Sequence, residues 1–495
     1  MKKIFFITAC FASTAGVWAQ EPADALRYSW YTSSGTARQQ SIGGAMASLG
    51  GDLSATFVNP AGLGFYKTGD FVLSPAFNFL NNKSTYYGNT EKDKKNAFSF
   101  GASGFVWGDG ENTDKKKRGS GSAFSIAVNR TANFGSNLLY RGINTQSSYS
   151  QKFLEELSNN NVVDSSAAFR FPFGSSLAIN TYWIDTAAGW STGDREDRSF
   201  TSLAAALLPA GGLIQENSVT NRGGITELAF AGAGNIKDRF YFGGTLGIPF
   251  LFYEKEAVFT EADPSADANN RFDFATYTEN LETSGVGINL KLGIIFKPVE
   301  QVRLGFAFHT PTIYRLTDNY SASVTTHTES FQGQLTQSSF EFTNGEDAEF
   351  KYRYISPYRV MISGAYVLRE IEDIRKQKGF ITADIEYVNY KASSFKTDQE
   401  GDNSQETKAY LQQLNDAIDI AYKGAFNVKV GGELKFTTVM VRLGGAYYGN
   451  PYQDLAGEEG HRFQITGGLG YRNKGMFIDL GYVHTMGKDM HFAYR

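Results

Sequence analysis

Cysteine is all but missing from this 495-residue chain, with Cys10 its single example. A fold stapled by disulfides is therefore excluded. Charge of either sign is in short supply. Charged residues make up 20% of the chain and nearly cancel, leaving a formal net charge of −4. That is too few for a coiled coil, too balanced for a disordered acidic tail, and no basic field for nucleic acid. Beyond the N-terminus there is no run of eighteen apolar residues, so membrane-spanning helices are excluded. Catalytic signatures are missing as well: no GxSxG, HExxH, Walker or dinucleotide pattern occurs, and nothing places a nucleophile beside a base. An enzyme is not expected. What the chain does have is 53 Gly, 40 Phe, 27 Tyr and 5 Trp, the composition of a β protein rich in glycine and aromatics.

Residues 1–19 read as a cleavable signal peptide. Lys2 and Lys3 supply the charged start, Ile4 to Val17 an apolar and small-residue stretch, and Val17-Trp18-Ala19 a cleavage site before Gln20. Cys10 follows Ile7-Thr8-Ala9, but the apolar stretch before it is too short to favour lipidation. Losing Lys2 and Lys3 takes the 47 basic residues to 45 against 51 acidic, a net charge of −6.

Alternation with period two governs most of the remainder. Phe240, Phe242, Leu246, Ile248, Phe250 and Phe252 share one face. So do Val286, Ile288, Leu290, Leu292, Ile294 and Phe296, with Asn289 and Lys291 opposite. Val302, Leu304, Phe306 and Phe308 oppose Arg303 and His309; Phe426, Val428, Val430, Leu434 and Phe436 oppose Lys429 and Glu433. Period two alone does not say which face is buried. Three features favour a membrane barrel over a soluble sandwich. The apolar faces run for about ten residues, the span of a tilted strand across the hydrocarbon layer. Aromatics such as Tyr253, Tyr314, Tyr447, Tyr448 and Tyr482 gather at strand ends. Short polar turns alternate with long connections, placed at 132–223, 254–275, 315–345, 392–424 and 449–461. The expected fold is an all-β transmembrane antiparallel barrel. Strands begin near Phe71, Ala97, Ser122, Ile225, Phe240, Gly285, Val302, Tyr358, Phe380, Phe426, Val439, Phe463 and Met476. Thirteen is an odd number where bacterial single-chain barrels have an even one. Either two strands are merged or the sequence stops one strand short, and the second reading is preferred.

Residues 20–69 do not alternate. They are rich in Gly, Ser and Ala, which permit tight turns and close backbone approach. The run Ser33-Ser34-Gly35, then Gly43-Gly44-Ala45, then Asn59-Pro60-Ala61-Gly62 resembles the start of the FadL/TodX family of outer-membrane hydrocarbon and long-chain fatty acid transporters. The resemblance is strongest over 28–66 and continues loosely through Gly247-Ile248-Pro249, Thr310-Pro311-Thr312 and the glycine-rich hairpins near the C-terminus. It implies a barrel of about fourteen strands over 70–495, plugged by a hatch at 20–69 whose gate is Asn59, Pro60, Ala61 and Gly62. Without the resemblance, Asn59-Pro60 is an ordinary turn initiator.

An Arg or Lys facing lipid at the midplane costs about 2–4 kcal/mol. Lys291, Arg303, Arg359, Asp384, Glu386, Lys429, Glu433, Arg442, Arg462 and Asp479 should therefore point into the lumen. Most are expected to pair with one another. Arg303 and Arg442 are the candidates for holding a carboxylate headgroup. Two apolar stretches stand out among the loops: Leu203, Leu207, Leu208, Leu213 and Ile214, and a helical stripe over 405–422 with Leu411 and Leu414. Each either forms a small core for its own loop or contributes to an exposed groove that captures a hydrophobic molecule. The expected function is passive outer-membrane transport of hydrophobic molecules such as fatty acids, with membrane lipid around the barrel and no cofactor or metal. One alternative is a FadL-like scaffold barrel of a protein secretion system, whose loops bind a protein partner. Another is a haem receptor using some of His309, His327, His461, His484 and His491. The acidic residues Glu261, Asp263, Asp267 and Asp273 lack calcium-ligand spacing and read as a solvated loop.

Overall fold

The computed structural model describes residues 20–30, 34–110, 120–187, 199–265, 267–368, 378–453, 460–489 and 491. The signal peptide and Cys10 lie outside them. The wall is built from antiparallel passes. Several of them bend or bulge midway and so consist of two segments. In chain order they are β1 (Asp70–Val72 and Pro75–Tyr86), β2 (Asn89–Phe100 and Ser103–Gly110), β3 (Gly121–Asn133 and Ser136–Asn144), β4 (Leu213–Ile236), β5 (Phe240–Ala262) and β6 (Phe274–Val299). There follow β7 (Val302–His309 and Ile313–His327), β8 (Ala348–Ile355 and Arg359–Leu368), β9 (Gly379–Asn389 and Ser394–Thr397), β10 (Gly424–Phe436), β11 (Val439–Tyr448), β12 (Arg462–Asn473) and β13 (Met476–Gly487). Each expected strand start falls within or beside one of these. Register is continuous over long stretches: β5 pairs β4 from Phe240↔Ile236 to Ala262↔Ile214, and β6 from Phe240↔Phe296 to Ala262↔Phe274.

Burial settles which face is outside. Ile288, Leu292, Phe296, Phe306, Ile381, Phe426, Leu443 and Ile465 are all exposed, while their neighbours Asn289, Lys291, Arg303, Asp384, Glu386, Asn427 and Arg442 are buried. Apolar side chains outside and charges inside are the signature of a transmembrane barrel. No described helix is long and apolar enough to cross a membrane.

The passes are longer than the sequence reading expected. β6 has 26 residues, about 85 Å along the strand at 3.3 Å per residue, far more than a 30 Å hydrocarbon layer needs even at 45° tilt. The upper halves stand clear of the membrane, taking the lower end as that of the short turn Lys237–Arg239. Most of 254–262, 315–327, 132–144 and 213–223, expected as loop, is therefore strand, and the strand expected to begin near Gly285 begins at Phe274. The alternation continues there but its apolar face reverses. Below Gly285 the apolar members Val286, Ile288 and Leu290 face out; above it Leu281, Tyr277 and Ala275 are buried and Glu282, Asn280 and Thr278 face water. Lipid outside demands the first arrangement and water outside demands the second.

Two additions complete the molecule. Helices α1 (Pro22–Ser29), α2 (Ala37–Ser41) and α3 (Ala55–Val58), with the 3-10 turn Pro60–Phe65, form a hatch inside the wall. After β3 an upper cap holds α4 (Ser150–Asn159), α5 (Ala167–Arg170), α6 (Ser175–Asn180) and a ribbon of Ile184–Thr186 with Phe200–Ser202. Its core is aromatic: Tyr149, Phe153, Trp183, Phe259 and Tyr277 are buried together. Beneath that core Glu261 is fully buried and accepts from Ser148 Oγ, the Tyr149 amide, Trp183 Nε1 and Gln215 Nε2. Burial pushes its carboxyl above the usual range against the pull of these donors. Between β9 and β10 lies α7 (Gln405–Ala421), whose N-cap Ser404 accepts from the Thr407 amide.

Candidate functional site

The hatch is held by backbone-to-backbone approach, which is what its small residues and the glycines of the wall allow. Asn59 is fully buried: its Oδ1 accepts from the Ala61 amide at 3.1 Å, and its Nδ2 reaches the carbonyls of Ala47, Ile294 and Phe306 at 2.5, 3.3 and 3.3 Å. One side chain thus caps the turn and ties it to β6 and β7. Pro60 opens the 3-10 turn, where its missing N–H costs nothing. A Cβ at Gly293 would sit 1.8 Å from Asn59 Oδ1, one at Gly243 2.5 Å from Pro60, and one at Gly62 2.6 Å from the Leu49 carbonyl. On the far side of the wall, Gly431 and Gly444 make the same allowance for Ile42. Asn59, Pro60, Ala61 and Gly62 are therefore brought together at the hatch–wall contact.

Between the hatch and the wall lies a polar cavity of about 70 Å³, lined by Ser34, Gln39 and Gly44 of the hatch and in part by Trp30, Arg359, Glu386, Tyr390, Lys429 and Tyr448. β8, β9 and β10 place Arg359, Glu386 and Lys429 on adjacent inward positions. Glu386 accepts from Asn427 at 2.7 Å and Lys429 at 3.2 Å and lies 3.8 Å from Arg359, which also donates to the Ser29 carbonyl at 2.6 Å. From β12, Arg462 stacks its guanidinium 4.0 Å over Trp30 and 5.2 Å over Tyr448, and its Nε and Nη2 are buried without a hydrogen-bond acceptor. Two cations therefore flank one carboxylate, and behind two of the lining rings one guanidinium edge is left with donors to spend.

The two arginines singled out from sequence are not in this cavity. Arg442 donates to Glu433 at 2.6 Å and to Asp479 at 2.5 Å, and Glu433 also receives Arg38 of the hatch at 3.4 Å. Arg303 lies 4.7 Å over the ring of Phe65. Both serve the hatch–wall contact. Arg359, Lys429 and Arg462 belonged to the expected luminal set, yet period two could not distinguish them, because pairing is decided by neighbouring strands and the hatch. The apolar groove residues are likewise separated into two cores. Leu411 and Leu414 are buried under α7 against Leu26 and Tyr28 of α1 and Tyr352, Tyr354 and Phe395 of the wall. Leu213 is buried in the cap, with Leu203, Leu207 and Leu208 packed partly against the same cluster, and Ile214 is half-buried on β4. Each stretch thus packs into a core of its own. The histidines are dispersed: His309 meets the Val58 carbonyl at 2.8 Å and His327 meets Asp273 at 2.7 Å. Among the described residues no group of three His, Cys, Asp or Glu is placed to hold a metal.

No family model matches the chain, and no curated relative does. Among solved structures it is similar to a Pseudomonas aeruginosa FadL homologue, at 12% identity and a TM-score of 0.47 over 92% of this chain and 91% of that one. It is also similar to the CymD monoaromatic hydrocarbon channel, at 11% identity and 0.46 over 92% and 93%. The toluene transporter TbuX of Ralstonia pickettii follows at 11% identity and 0.44 over 90% and 92%.

Proposed function

We propose that this chain is a passive outer-membrane channel for hydrophobic molecules that carry an anionic head, long-chain fatty acids foremost, exported by cleavage of residues 1–19. The observation that carries the reading is the cavity between hatch and wall, where Arg359 and Lys429 flank the single carboxylate of Glu386, while Arg462, stacked on the lining rings of Trp30 and Tyr448, keeps buried donors without an acceptor. A carboxylate satisfies such donors better than water does once the site is dry. Trp30 and Tyr390 line the cavity and also belong to, or pack on, the aromatic core beneath α7. An acyl tail therefore has an apolar neighbour, at about 0.8 kcal/mol per methylene buried. Passage then requires the hatch to shift around Asn59 to Gly62, or a route around it.

The deciding experiment is extraction and mass spectrometry of small molecules from the purified, detergent-washed barrel. A stoichiometric fatty acid in the parent, lost when Arg359, Lys429 and Arg462 are replaced by Gln, supports the reading. A barrel empty of small molecules with another protein still attached would replace it with the scaffold reading.

A further inference from the structure

The first hairpin of the wall carries an unexplained electrostatic penalty. β1 and β2 join through the two-residue turn Tyr87-Gly88, both with positive φ (44° and 84°), which fixes Tyr86 opposite Asn89. The register that follows sets Lys83 directly across from Lys92 and Asn81 across from Lys94. All three lysines are exposed and lie on the same, outward face. Like charges directly opposite destabilise a strand pair. No described carboxylate forms an ion pair with any of them, whereas two outward cations of the neighbouring upper wall are paired, Arg141 with Glu216 and Arg222 with Glu254. The hairpin's own acids, Glu91 and Asp93, alternate to the opposite face. There Asn82 and Ser84 donate to the carbonyls of Asn137 and Leu139, and Asp93 accepts from Asn137.

Directly below the lysines the same outward face turns aromatic. Phe77, Phe79, Phe98 and Phe100 are 70%, 72%, 54% and 45% exposed. Further down, Phe71, Phe105 and Trp107 continue the belt. The three ammonium groups thus stand at the edge of the hydrocarbon layer, over a surface built for acyl chains, with Thr85 and Thr90 hydroxyls beside them. What neutralises them must carry negative charge and sit at headgroup depth.

We propose that Lys83, Lys92 and Lys94 form a binding site for the phosphate-bearing headgroup of a lipid in the upper leaflet, its acyl chains lying on Phe77, Phe79, Phe98 and Phe100. The site rests on the reading of the wall as membrane-spanning and is independent of what passes through the lumen. It accounts for the like-charge pair: the phosphate supplies the missing counter-charge, and the hairpin is completed by the membrane itself.

The test uses the full chain in neutral detergent and three probes: diphosphoryl lipid A, the same acylated disaccharide without phosphates, and inorganic phosphate. Retained lipid is read by native mass spectrometry and by titration. The parent should hold the diphosphoryl form roughly a hundredfold tighter than the Lys83→Gln, Lys92→Gln, Lys94→Gln triple variant does, about fivefold per lysine. A second variant separates binding from folding. Lys83→Glu places a carboxylate opposite Lys92, so it should raise the thermal midpoint without lipid while weakening diphosphoryl lipid binding. Equal binding of the phosphate-free form, equal binding by the triple variant, or inorganic phosphate binding as tightly as the lipid would each overturn the site. Failure of the parent to insert into neutral phospholipid vesicles would overturn the membrane-spanning reading beneath it, and leaves the luminal cavity to be judged by its own experiment.

Discussion

At the scale of single residues, the hatch is held by fit more than by charge. Asn59 accepts from one amide and shares the two hydrogens of its Nδ2 among three carbonyls from a fully buried position. Asn59→Ala deprives the Ala47 carbonyl and the Ala61 amide of this partner, at about 1–3 kcal/mol for each group left unpaired where water cannot reach. The expected result is a loosened hatch: a lower thermal midpoint and more frequent single-channel openings in planar bilayers, with the β content of the wall retained. Gly293→Ala tests the same contact from the other side. Its methyl would stand 1.8 Å from Asn59 Oδ1 and must displace it, whereas Gly364→Ala meets nothing within 4 Å. The first should reproduce the Asn59→Ala phenotype and the second should be silent. If the two glycine variants behave alike, close approach is not what holds the hatch. The motif itself was legible in sequence, as Asn-Pro before Ala-Gly ahead of the first strand. The glycines that receive it were not, because a glycine in a strand pattern does not say which neighbour approaches it.

At the scale of elements, strand identity was readable and strand extent was not. The reader of β6 sees a clean apolar face from Phe296 back to Val286, then a break at Gly285, and reasonably ends the strand. The strand goes on because water replaces lipid and the two faces exchange roles, with Leu281 and Tyr277 now inside. The stripe of α7 shows the same limit. Leu411 and Leu414 mark a buried face, but only the fold reveals that α1 covers it. The cap adds a pH-dependent element. Glu261 has a raised carboxyl pKa because burial outweighs its four donors. The folded cap therefore binds the proton more tightly than the unfolded chain. The associated stability is fully present below the unfolded value, near 4.3, and is lost as pH rises through the raised folded value. Hydrogen exchange over 145–212 should accordingly quicken from acid toward neutral pH more than intrinsic exchange does. Glu261→Gln keeps an acceptor for Trp183 and Ser148 and should flatten that dependence. An unchanged profile would show that Glu261 does not control it.

At the scale of the whole molecule, the question is whether anything passes without the hatch moving. Wall and hatch are stitched on several sides: Thr56 Oγ1 lies 2.8 Å from Ser125 Oγ of β3, and Ser48 Oγ lies 2.7 Å from Ser363 Oγ of β8. All four side chains are buried. Hydroxyls this close place their Cβ atoms near the separation a disulfide needs, about 3.5–4.5 Å. The sequence has no cysteine after Cys10, so Thr56→Cys with Ser125→Cys, and separately Ser48→Cys with Ser363→Cys, have only each other to pair with. The first lock fixes α3 to one side of the wall, and the second fixes the bend before it to another. In proteoliposomes, a channel whose hatch must shift should lose uptake of a labelled fatty acid when either pair is oxidised and regain it on reduction. Binding in the cavity of Arg359, Glu386 and Lys429 should be unaffected, because neither lock touches its lining. Uptake that survives both locks would mean that the hydrophobic solute leaves through the wall above a stationary hatch. The hatch would then be a floor to the cavity, and the glycine contacts around Ile42 and Asn59 would serve to keep water and ions from crossing.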